Sequence, residues 1–188
     1  MNVAFGFNAH SGWAALVVVG KRGREYVLSG RRRIELVEEP WAKQPYHAAE
    51  KLPPEEARAT VERGVESGRR IALREMRAAV ALERSRGNTV AGCAVLVGNP
   101  MPAWTTGEIL AVHFRMHKAE GVLFRDVLVR ASRACRLKTV EVPLASLEKH
   151  ARLTRQVTAL GKTAGPPWGK DQKEAALAAL AALEGKAS

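Results

Sequence analysis

The chain has 188 residues, 46% of them hydrophobic, and its 30 Lys and Arg outweigh 19 Asp and Glu to give a formal net charge of +11. A chain of this length buries a core without staples, and its two cysteines, Cys93 and Cys135, are too few for a disulfide framework or a zinc ribbon. The first apolar run lacks a basic leader and is interrupted by Asn8, His10 and Ser11, so neither a signal peptide nor a membrane span is expected, and one cytosolic domain over 1–188 is.

The stretch around which the chain is organised comes first. Val3 to Phe7 and Trp13 to Val19 are apolar runs rich in β-branched and aromatic residues, separated by the turn formers Asn8-Ala9-His10-Ser11-Gly12. A hairpin this apolar on both strands belongs in the middle of a covered sheet, because at an edge it would template aggregation. Lys21 to Arg24 then reads as a basic turn, Tyr26 to Leu28 as a short strand, Ser29-Gly30 as a second turn and Ile34 to Val37 as a third strand. Glu38 to Pro54, with four prolines and no clean period, reads as a crossing loop in which Trp41, Tyr46 and His47 either line a site or, the commoner outcome, cap the end of the core.

Pro53-Pro54-Glu55-Glu56 opens a helix with proline and acids in its first turn, and the apolar spacing carries it to about Arg86 before Gly87-Asn88. Thr89 to Val97 is an almost unbroken apolar run suited to a central strand covered on both faces. A second long helix is expected from about Thr106 to Leu137, then a strand from Thr139 to Val142 and a helix from Leu144 to Leu153. An alanine-rich helix, Lys170 to Leu183, closes the chain behind the Gly165-Pro166-Pro167-Trp168-Gly169 break. The expected architecture is α/β: a mixed sheet of three antiparallel strands followed by alternating helices and strands.

This element order, with the run Asp171-Gln172-Lys173-Glu174-Ala175-Ala176 opening the final helix, resembles the ribonuclease H-like superfamily, and within it the RuvC-type branch of Holliday-junction resolvases. The resemblance implies hydrolysis of phosphodiesters by two magnesium ions held by a carboxylate on the first strand, one after the fourth strand, and one or two on the last helix. Here the first position is Asn8, the end of the fourth strand offers Gly98 and Asn99, and only Asp171 and Glu174 remain as acids. Magnesium wants anionic oxygen, so a standard two-metal nuclease is not expected.

A different constellation lies on the second long helix. His113, His117 and Glu120 stand at i, i+4 and i+7, within roughly 60° of one another around the helix axis. Ile109, Phe124, Val127 and Leu128 share that direction, while Arg115, Lys118, Arg130 and Arg133 project elsewhere. Three polar groups on an apolar face need partners, and His10 at the hairpin tip and Asp171 at the start of the last helix are the expected ones. His10, His113, His117, Glu120 and Asp171 are thus the candidate catalytic residues, with His113, His117 and Asp171 as candidate ligands of a divalent metal. Such His pairs more often form a satisfied hydrogen-bonded cluster. Three functions follow: a nucleic-acid-associated protein on a scaffold without the standard carboxylates, an active hydrolase or nuclease with this atypical site, or a structural, partner-binding module whose basic surface is a solvated face.

Overall fold

The computed structural model describes residues 1–185, apart from the side chains of 148–151. The strands are β1 (Asn2–His10), β2 (Trp13–Arg22), β3 (Glu25–Glu35), β4 (Thr89–Val97) and β5 (Thr139–Pro143), and the helices are α1 (Pro45–Ala49), α2 (Pro54–Ser85), α3 (Thr106–Leu110), α4 (His113–Ala134), α5 (Thr154–Ala164) and α6 (Lys170–Leu183). They form one sheet in the order β3-β2-β1-β4-β5 with β1 at its centre, antiparallel to β2 and parallel to β4. The apolar hairpin is therefore covered on both faces, as its composition demands. No described helix is long and apolar enough to cross a membrane.

Alternation along β1 and β2 sorts the two layers. Val3, Phe5 and Phe7 of β1, with Leu16 and Val18 of β2, enter a core shared with Met76 of α2 and Phe124, Val127 and Leu128 of α4. Val17 and Val19 point to the other face and pack on Val157 and Leu160 of α5 and Ala175, Ala176 and Ala179 of α6. On that second face a Cβ at Gly6 would lie 1.9 Å from the Ala175 carbonyl oxygen, so only glycine lets the α6 backbone come this close to β1. The small side chains of α6 serve the same approach.

The structure corrects several expectations. The first hairpin turns on Ser11-Gly12 alone, and Asn8, Ala9 and His10 are strand residues paired with Ala15, Ala14 and Trp13. Ser29-Gly30 is a bulge instead of a turn: Val18 pairs with Gly30 and Val19 with Leu28, leaving Ser29 as the extra residue in one continuous β3. The 38–54 segment folds into a 3-10 turn, Pro40–Lys43, and α1, where Trp41 and Tyr46 do pack on apolar clusters. The helix expected from Thr106 breaks at Val112, whose extended backbone (φ −141°, ψ 113°) ends α3 and starts α4 at His113. Leu144–Leu153 is a 3-10 segment, and α5 arises where the sequence showed no clear signal. Both cysteines are free, and burial pushes the Cys93 thiol up to about 12, so it is an inert core residue.

Candidate functional sites on the two faces of the sheet

The even residues of β1 face α6, and this places Asn8 beneath the helix's first turns. Asn8 is 4% exposed, and its amide nitrogen donates to Glu174 Oε2 at 2.9 Å and to Asp171 Oδ1 at 3.4 Å. Carboxylates only accept, so the nitrogen end must be the one that faces them. His10, two residues along the same face, brings Nε2 to 3.0 Å from Asp171 Oδ1, and Lys170 Nζ stands 3.8 Å from Glu174. Asp171 also sits in the first turn of α6, where the helix dipole favours an anion. The acid pair is thus held by donors of the chain itself.

The β1–β4 register shows what stands beside it. Gly6 pairs with Ala94 and Phe7 with Val95, so one further step sets Leu96 next to Asn8 on the α6 face. Leu96 is fully buried against Ala178 and Val142. Gly98, at the strand's end, lies under the Arg125 guanidinium, whose Nη1 is 2.5 Å from where a Cβ would stand. An amide on β1, an alkyl group on β4 and a cation beyond it do not fit two magnesium ions.

The surroundings of the acid pair are aromatic and basic. His10 stacks on Trp13 with ring centroids 4.4 Å apart, and the Arg33 guanidinium covers the Trp13 ring at 3.9 Å. Beside Glu174, a cleft of about 780 Å³ opens between α5 and α6, walled by Val157, Gly161, Trp168 and Leu177 with Lys162 and Lys173 in its lining.

His113, His117 and Glu120 do not join this site. The second cluster belongs to α4 and to the segment that crosses over it. A Cβ at Gly64 of α2 would stand 2.6 Å from the Pro45 Cβ, and this close seat sets α1 beside α4. His47 then meets Glu120, which is 3% exposed and accepts from the His47 backbone N–H at 3.1 Å, from His47 Nδ1 at 2.8 Å and from Gln44 Nε2 at 3.4 Å. His113 and His117 bring their Nε2 atoms to 3.1 Å from each other, and their rings lie 5.1 Å and 4.6 Å from that of His47. Burial on α4 is not uniform: Glu120 is inside, but the first turn is covered only by neighbours such as α1, and His113 keeps 63% of its side chain exposed.

The five residues singled out in the sequence therefore divide into His10 with Asp171 on the α6 face, and His113, His117 and Glu120 with His47 on the other. Asp171 is no co-ligand of His113 and His117; among the described residues the histidine that comes within reach of both is His47. His47 reads in the sequence as either lining a site or, the commoner outcome, capping the core, because an irregular segment has no period from which to read a facing partner. Asn8, read only as a missing acid, is a positive structural element, the donor that joins both acids of α6.

No family model matches the sequence, and no curated protein matches it. Solved structures do. The RuvC of Thermus thermophilus in complex with its Holliday junction substrate superposes with a TM-score of 0.58 at 12% identity, over 99% of this chain and 98% of that one. A second structure of T. thermophilus RuvC gives 0.51 at 14% identity over the same shares. Over nearly the whole length of both chains the likeness is one of fold, the five-stranded mixed sheet with helices on both faces described above, and the protein accordingly has the ribonuclease H-like fold.

Proposed function

We infer that the protein binds nucleic acid on this scaffold without cleaving it by the two-magnesium route. The observation that carries the reading is the Asn8 amide bonded to both Asp171 and Glu174, with Leu96 beside it: the place where such a fold gathers metal ligands is filled by internal donors and an alkyl side chain. Support for a polyanionic partner comes from the charge of +11 and from its distribution. Arg63, Arg70, Arg77 and Arg84 stand seven residues apart along the exposed side of α2, and the His10–Trp13–Arg33 stack beside the acid pair combines a π surface with a cation, the features on which bases and phosphates rest. The RuvC structure bound to a Holliday junction makes branched DNA the first ligand to try.

The test is binding of a labelled four-way junction and a matched duplex over a salt series. Binding should weaken linearly in log salt, and Arg33→Glu or Lys173→Glu should each reduce the slope by about one. Salt-insensitive binding, or none at low salt, would leave the basic surface a solvated face. A hydrolytic reading has one observation in its favour, the His10–Asp171 pair at 3.0 Å, which could serve as a base held by an acid. It requires cleavage that persists in chelator and is lost in His10→Ala.

A further inference from the structure

The geometry points to a second site, on the opposite layer from the acid pair: a solvent-open site for a borderline transition cation of the zinc class, with the Nε2 atoms of His47, His113 and His117 as ligands and Glu120 orienting His47. The three imidazoles offer one nitrogen each within 4.8 Å of one another. The His113 and His117 Nε2 atoms are 3.1 Å apart, close to the roughly 3.4 Å that separates two ligands of a tetrahedral ion with bonds of about 2.05 Å. Spacing of i, i+4 on a helix supplies that pair, and α1 supplies the third ligand from across the crevice.

His47 is the decisive member. Its Nδ1 lies 2.8 Å from a Glu120 carboxylate oxygen, which cannot donate, so Nδ1 carries a proton and Nε2 is the ring nitrogen left for a ligand contact. That Nε2 is buried and has no hydrogen-bond partner among the described residues. A buried ring nitrogen without a partner is costly, and a cation bound through its lone pair removes the cost. Glu120 contributes in two further ways. It fixes the ring orientation, as carboxylates behind metal-bound histidines do, and its buried charge offsets part of the ion's charge. Behind His113, Glu50 stands 3.7 Å from Nδ1 and adds a second negative charge near the site. Three neutral nitrogens select zinc, cobalt, nickel or copper over magnesium and calcium. The exposure of His113 keeps a fourth position on the solvent side, the arrangement of sites that hold a water or a small ligand in addition to the protein.

The assignment is independent of nucleic-acid binding and is tested without it. Tag-free, metal-stripped protein is titrated with cobalt(II) alone. One equivalent per chain should bind with the intense visible absorption of a tetrahedral site, be displaced by zinc and ignore a large excess of magnesium. His113→Ala and His117→Ala, both at exposed positions where folding is not at stake, should abolish the visible band, and Glu120→Gln should weaken binding about 10- to 100-fold. Asp171→Asn should bind cobalt as wild type does. No visible band in the wild type, a band unchanged in both histidine variants, or a band lost in Asp171→Asn would each overturn the site.

Discussion

The acid pair on α6 and the histidine cluster on α4 differ in a way that residue type alone does not show. At Asp171 and Glu174 the acceptors are matched: Asn8 donates to both, His10 lies against one and Lys170 near the other. At His47, His113 and His117 the match is incomplete, and among the described residues a buried Nε2 is left without a partner. Two carboxylates on the last helix of a ribonuclease H-like fold invite a metal, and here the chain supplies its own donors. Two histidines at i, i+4 usually satisfy each other or solvent, and here they meet a third whose Nδ1 is held by Glu120. The lesson is to count unsatisfied atoms before counting ligands.

The two faces can be perturbed separately. Gly6→Ala should have the largest effect, because its Cβ would overlap the Ala175 carbonyl; a loss of about 3 kcal/mol or more is expected in urea unfolding, with the acid site dismantled first. Zinc should act in the opposite sense on the other face, raising stability by about 2.7 kcal/mol at a free concentration one hundred times its Kd, and by nothing in His117→Ala. Glu120→Ala leaves the Gln44 amide and two His47 donors without their acceptor and should cost about 1–3 kcal/mol in metal-free protein. Asn8→Ala should cost less, about 1–2 kcal/mol, since His10 still pairs with Asp171; the readout is again denaturant unfolding.

Much of this was legible in the sequence, and the failures share a cause. The continuous apolar runs of β1 and β4 located the centre of the sheet because burial on both faces leaves no polar alternation. Element order placed Asn8 opposite the acids of α6. Contacts set by packing left no local signal. Ser29-Gly30 has turn chemistry, yet tertiary pairing makes it a bulge. The break at Val112 has no proline or glycine to announce it, so α3 and α4 read as one helix and the first turn of α4 was assigned to the core. His47 could not be matched to Glu120 while α1 was read as loop, because its position depends on Pro45 seating against Gly64 some twenty residues away. A hint was present: Glu120 on an apolar helix face demands donors, and a Gln-Pro-Tyr-His segment is a source of them.

Nucleic-acid binding without two-magnesium cleavage is tested by following binding and strand cleavage together on a labelled four-way junction, with magnesium present at salt low enough for the complex to form. A retarded complex whose DNA remains intact on denaturing gels is expected, for wild type and Asp171→Ala alike. Magnesium-dependent cleavage by the wild type that disappears in Asp171→Ala would contradict it and would mean that Asp171 and Glu174 release Asn8 to take up metal.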